Sequence, residues 1–160
     1  MSLTEYRKKR DFKKSPEPAP PVRKAGPAPT PVGLIFVIQK HRASRLHWDL
    51  RLEEGGELLS WAVPKEPPAV AGVRRLAVQV ENHALEYADF EDTIPEGEYG
   101  AGTVEIWDRG TYLPLETESG RRVVDLRGLR LKGPYALVKL KALDTKDKNW
   151  LFFKLKPKTK

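Results

Sequence analysis

No long stretch of this chain repeats its apolar residues at the helical period, and beyond the first thirty residues they come in short runs cut by Gly and Pro. Leu34–Lys40 is apolar and β-branched, and His47–Glu53 alternates. Glu54-Gly55-Gly56-Glu57 reads as a hairpin turn, and Leu58–Val63 returns until Pro64 stops it. Arg75–His83, Thr103–Arg109, Arg122–Leu126, Tyr135–Lys141 and Trp150–Leu155 follow at similar spacing. About eight short strands joined by tight turns predict an all-β, mainly antiparallel fold, a barrel or a sandwich, and of the two a compact β-barrel is expected.

Half of the fourteen prolines fall between Pro16 and Pro31, and that segment cannot donate the hydrogen bonds of helix or sheet. It reads as an extended N-terminal arm. Residues 1–33 therefore form a leader and Pro-rich arm, and residues 34–160 the barrel domain. In the leader, Tyr6, Asp11 and Phe12 suit a strap laid across the body. Gly97, Gly100 and Gly102 have the wrong spacing for a nucleotide-binding loop and precede no helix pattern, so they read as a tight turn feeding Thr103.

At 160 residues the chain is one domain, large enough to bury a core without staples. It has no cysteine, which excludes disulfides, thiolate catalysis and zinc–thiolate sites. No apolar run reaches the length of a membrane span and no signal-peptide core follows Met1, so a soluble cytoplasmic protein is expected. The net charge of +7 favours a polyanionic partner. Its basic residues gather at Arg7–Lys14 and from Lys139 onward.

Two of the three histidines stand in His41-Arg42-Ala43-Ser44-Arg45-Leu46-His47-Trp48-Asp49-Leu50-Arg51. Alternation on a strand puts His47, Asp49 and Arg51 in one row, with Trp48, Leu50 and Leu52 on the apolar side. A lone histidine on such a strand is usually surface. Two within seven positions, one of them two residues from an aspartate, suit a divalent transition metal, and the arginine suits a phosphate beside it. Arg75–His83 gives a second row, with Leu76, Val78 and Val80 on one face and Arg75, Gln79, Glu81 and His83 on or near the other. If both rows face one cavity, it holds His41, His47, Asp49, Arg51, Arg75, Glu81 and His83, with Tyr87 just beyond. Arg51, Arg75 and Lys65 would offset phosphoryl charge, and His83 could donate a hydrogen bond or act as general acid.

Phe36-Val-Ile-Gln-Lys-His-Arg-Ala-Ser-Arg-Leu-His-Trp-Asp-Leu-Arg-Leu52, Trp61-Ala-Val-Pro-Lys65, Val80-Glu-Asn-His83, Tyr87 and Ile94-Pro-Glu-Gly-Glu-Tyr-Gly-Ala-Gly-Thr-Val-Glu-Ile-Trp-Asp-Arg-Gly110 together resemble the 3′-phosphoesterase domain of bacterial DNA ligase D. Tyr6-Arg-Lys-Lys-Arg-Asp-Phe12 and Pro16-Glu-Pro18 resemble that family's N-terminal segment. The resemblance implies a manganese-dependent enzyme of DNA repair by non-homologous end joining. Its substrates would be DNA or RNA-tailed DNA 3′ ends. It would remove a terminal ribonucleoside and then the 3′-phosphate, leaving a 3′-hydroxyl that a ligase can seal. It further implies His41, His47 and Asp49 as metal ligands, Arg51, His83 and Tyr87 at the phosphate, and Gln39, Lys65, Arg75 and Glu81 in support. Arg10, Asp11 and Glu17 match leader residues implicated in activity, so the arm would pack on or near the site.

Two departures touch turns rather than ligands: Pro64-Lys-Glu-Pro-Pro68 replaces a more usual Pro-Lys-Gly-Pro, and Asp92 stands where glycine is commoner. Zinc or another transition metal would bind the same donors, so manganese preference rests on geometry and availability. The expected partners are nucleic acid and the ligase and polymerase activities of end joining, with no membrane, and the expected state is a monomer. The rival reading is a non-catalytic basic barrel that stacks bases on Trp48, Trp61 and Trp107.

Overall fold

The computed structural model describes residues 33–94, 101–141 and 146–156. The leader with Arg10, Asp11 and Glu17, the Pro-rich arm, and Gly97 and Gly100 of the glycine turn lie outside the described residues. The strands are β1 (Leu34–Arg42), β2 (Leu46–Glu54), β3 (Glu57–Val63), β4 (Arg74–Ala84), β5 (Asp92–Ile94), β6 (Gly102–Glu118), β7 (Arg121–Arg127), β8 (Lys132–Lys139) and β9 (Asn149–Lys154). A 3₁₀ helix, Leu85–Asp89, links β4 to β5. The strand order is β1-β2-β3-β4-β9-β8-β7-β6-β5, and β1 also pairs with β6. That pairing closes eight antiparallel strands into the predicted barrel and leaves β5 as a short ninth strand outside the ring. Among the described residues no helix is long and apolar enough to cross a membrane.

Every barrel strand sends side chains inward. Ile38, Leu50, Trp61, Ala77, Tyr112, Leu126, Leu137 and Phe152, one from each, belong to a single buried cluster. Burying each of the large ones contributes roughly 1.5–3 kcal/mol relative to exposure. Trp48 and Trp61 are part of this filling, at 7% and 0% exposure, so neither is a platform for a nucleobase. Trp107 packs partly against the same cluster.

By the two-residue alternation, the neighbours of these side chains face outward. Outside β1 to β3 they meet a second apolar cluster: Val37, Leu58, Val104 and the segment carrying Ala84, Tyr87, Ala88, Phe90 and Ile94. The link from β4 to β5 is thus a roof over one outer wall of the barrel. It explains why the alternating sequence of β2 is buried on both sides from Trp48 to Leu52.

β5 was not expected, β8 begins at Lys132 and ends at Lys139 rather than spanning Tyr135–Lys141, and β6 and β4 depart further. β6 was expected to end at Arg109 but runs through Gly110 and Pro114 to Glu118. The Arg127 carbonyl lies where a Cβ on residue 110 would stand, and the ladder slips between Pro114 and Glu116, where a missing N–H is tolerated. β4 carries a bulge: Leu58 pairs with His83 and Ser60 with Val80, so Glu81 and Asn82 together oppose one residue of β3. The bulge reverses parity. Ala77 therefore lies in the core, and Leu76, expected on an apolar face, is 41% exposed.

Gly102 opens β6 at φ +130°, and a Cβ there would collide with the Arg42 carbonyl and Ala43 Cα of the β1–β2 hairpin. We expect Gly102→Ala to lower the unfolding free energy by about 2 kcal/mol or more. A urea midpoint unchanged from that of the parent protein would refute this.

Candidate active site

The roofed outer wall holds the polar row. Gly55 and Gly56, both at positive φ, form the β2–β3 turn and set Asp49 beside Ala62 and Arg51 beside Ser60. The β1–β2 register places His41 opposite His47 and Gln39 opposite Asp49. Directly paired residues share a face, so these side chains converge. The imidazole centroids are 4.8 Å apart. His47 Nε2 lies 3.2 Å from Asp49 Oδ2, and His41 Nδ1 lies 3.7 Å from the same oxygen. Donor atoms of the three residues all fall within 4.8 Å of one another.

The electrostatics fit a cation there. Burial opposes the charge on Asp49, but Arg51 and hydrogen bonds from His41 and His47 outweigh it and hold the carboxyl far below the usual carboxylate range. Burial likewise opposes a charged His47, yet Asp49 and the Arg45 carbonyl raise its pKa overall. His47 Nδ1 meets that carbonyl at 3.2 Å, which fixes the ring with Nε2 towards Asp49. A proton or a metal ion between Nε2 and the carboxylate meets the same demand, and two imidazoles with one carboxylate are a borderline donor set that leaves coordination positions open.

Arg51, 3% exposed, is held from several sides. Its Nε donates to Gln39 Oε1 at 2.6 Å, and its Nη1 donates to Ser60 Oγ at 2.7 Å. Nη1 also lies 3.1 Å from His83 Nδ1, and Nη2 lies 3.5 Å from Asp49 Oδ2. The Tyr87 ring lies under the guanidinium at 4.8 Å and edge-on to His83 at the same separation. Most of the arginine's donors are thus engaged within the protein. Gln39 passes the connection to the roof, its Nε2 donating to the Tyr87 and Phe90 carbonyls at 2.7 and 3.2 Å.

His83 Nδ1 has two neighbours with opposite demands: the Arg51 donor, and the Glu81 carbonyl at 3.0 Å. A guanidinium can only donate, and it carries the full charge, so we assign Nδ1 as acceptor and the proton to Nε2. His83 is then a neutral donor.

A cavity of about 310 Å³ joins these groups, lined by His41, Ala43, His47, Asp49, Arg51, Ala62, Val80, Glu81, His83, Tyr87 and Ile94. Of the expected site residues, Gln39 supports this wall from beneath. Arg75 and Lys65 do not line the cavity. Arg75 Nε is bound to the Glu66 carbonyl, because the bulge puts Arg75 and His83 on opposite faces of β4. Lys65 is exposed in the turn after β3. Ser60 was missed by the sequence reading, although counting back from the Gly55-Gly56 turn pairs it with Arg51.

The fold and wall define a β-barrel protein with a candidate metal centre set against a buried cationic clamp. The family described as the DNA Ligase D 3′-phosphoesterase domain matches residues 39–139, and the chain belongs to that family. It is 48% identical over 160 residues to the multifunctional non-homologous end joining protein LigD of Pseudomonas aeruginosa, a match covering 96% of this chain and 18% of that protein. It is 47% identical over 158 residues to the multifunctional non-homologous end joining DNA repair protein LigD of Mycobacterium tuberculosis, covering 96% and 20%. The LigD of Mycolicibacterium smegmatis is 45% identical over 166 residues, with the same shares. The chain thus spans about one fifth of the length of these relatives.

Proposed function

We propose that this chain is a manganese-dependent 3′-phosphoesterase acting on DNA or RNA-tailed DNA ends in end joining. The observation that carries the reading is the convergence of His41, His47 and an ionised Asp49 directly beside the buried guanidinium of Arg51. In the first reaction the P–O5′ bond to a terminal ribonucleoside is cleaved, with water the net reactant, leaving a 3′-phosphate and a nucleoside with a free 5′-hydroxyl. In the second, water cleaves the monoester, giving inorganic phosphate and a 3′-hydroxyl.

His41, His47 and Asp49 would hold the metal, which when bound supplies Lewis acidity towards a phosphate oxygen. Arg51 Nη2 hydrogen-bonds a non-bridging oxygen and offsets its charge. His83 Nε2–H donates a hydrogen bond to the phosphate, and Tyr87 orients both by packing against them. Glu81 and Gln39 hold the wall in shape, and Ser60 joins them. Arg10, Asp11 and Glu17 of the leader contribute to the activity. The protein acts as a monomer in the cytoplasm, beside ligase and polymerase activities.

The test is a metal titration of stripped protein with a 3′-phosphorylated primer. Manganese should restore phosphate release, while zinc should bind without necessarily supporting turnover. Activity with magnesium alone would overturn the donor assignment, since that ion prefers oxygen ligands.

A further inference from the structure

The cavity is larger than its polar groups require. At about 310 Å³ it reaches the lower end of the roughly 300–1,000 Å³ typical of sites for small organic molecules. Part of its wall is aliphatic and makes no contact in the hydrogen-bond network around Arg51. On one flank Ala62 stands beside Asp49 and Val80 beside Ser60, carrying the surface from β2 across two strand spacings, ~10 Å. On the opposite flank are Ala43 in the β1–β2 turn and Ile94, whose partner Gly102 abuts Arg42 and Ala43.

The two flanks differ in charge. The hairpin flank carries Arg42 and Arg45, both exposed. Arg42 is shared with Glu105 at 3.3 Å, whereas Arg45 makes no ion pair among the described residues. Beside Ala62 and Val80 the charged residues lining the cavity include Asp49 and Glu81, both acids.

We propose that the Ala62–Val80 flank is the subsite for the terminal nucleoside, and that Arg45 on the hairpin flank holds the phosphates of the strand leading up to it. The assignment rests on the phosphoesterase reading above. A strand approaching the scissile phosphate carries one negative charge per nucleotide and gains from cations along its path. The group beyond the scissile phosphate is an uncharged nucleoside with an apolar base face, which suits an aliphatic wall. A strand continuing past that point would bring a further phosphate towards Glu81. The charge asymmetry therefore selects chain ends over internal phosphodiesters as well as fixing direction.

Two primers of one sequence test this, one ending in a single ribonucleotide and one in a 3′-phosphate. The second leaves the nucleoside subsite empty. Ala62→Leu should lower kcat/KM on the ribonucleotide primer by roughly tenfold more than on the phosphate primer, the scale at which a pocket discriminates added methylene groups. Val80→Met reaches the same space from β4 and carries the test if Ala62→Leu does not fold. Arg45→Ala keeps the backbone carbonyl that orients His47. It should weaken both primers alike and flatten the salt dependence of KM by roughly 0.7 in log–log slope. Equal effects of Ala62→Leu and Val80→Met on both primers, or an Arg45→Ala loss confined to the ribonucleotide primer, would overturn the assignment. Failure of the unaltered protein to process either primer would instead overturn the proposed function.

Discussion

Asp49→Asn should abolish 3′-phosphate release, lowering kcat by about a thousandfold or more. On the proposed function, asparagine keeps the shape but removes the charge that would draw a cation between His41 and His47, and losing that Lewis acid would remove several kcal/mol of transition-state stabilisation, at about 1.4 kcal/mol per tenfold. Stability will fall as well, because Arg51 loses a buried counter-charge. The sign follows from the depressed pKa of Asp49: its contribution to stability is complete above the ordinary value of 3.8 and fades only in stronger acid. The variant's deficit is therefore fully present at neutral pH. Separating the two effects needs His47→Ala, since His47 has the most exposed side chain of the three, at 24%. This variant should remain folded by circular dichroism, lose calorimetric manganese binding and lose turnover together. Near-normal turnover in either variant would rule out the metal assignment.

Arg51→Lys should be almost as damaging, by about a hundredfold in kcat/KM. Charge is conserved, so a simple electrostatic role would predict a mild effect. The guanidinium, however, binds Gln39, Ser60 and His83 at once through differently directed N–H groups, and a single ammonium cannot. Buried acceptors on Gln39 and Ser60 would lose their donor, each costing roughly 1–3 kcal/mol, and the His83 tautomer would lose its determinant. A thermal melt together with kinetics on a 3′-phosphorylated primer checks both. Activity within a few-fold of the parent would mean that the network around Arg51 is incidental to the chemistry.

Much of this wall could be read from the chain because a strand's alternation is a local property. His47, Asp49 and Arg51 point the same way whatever the rest of the molecule does, and Trp48, Leu50 and Leu52 identify the side that faces inward. The spacing of the runs pointed to an antiparallel barrel or sandwich, and the β1–β6 pairing that closes the ring depends on the whole chain. What could not be read depends on pairing. The bulge at Glu81 and Asn82 reverses parity within β4, so nine residues of apparent alternation do not put Arg75 with His83. Gly110 and Pro114 look like breakers, yet β6 continues through both: residue 110 takes the close approach of the Arg127 carbonyl, and Pro114 lies where β6 has left β1, pairs with β7 and slips in register. The roof was invisible for another reason: Leu85–Asp89 is a single short 3₁₀ segment held over the wall by apolar packing on Val37 and Leu58 and by the Gln39 side chain rather than by any periodic pattern.

In β2, neighbouring letters answer to different masters. Trp48, Leu50 and Leu52 are judged by volume, and any change among them is felt through the whole packed interior. Asp49 and Arg51, one step away on the same backbone, belong to a workbench mounted on the outside of the drum. The tools on that bench can be exchanged without repacking the drum, provided the replacements leave its filling and its hoops in place.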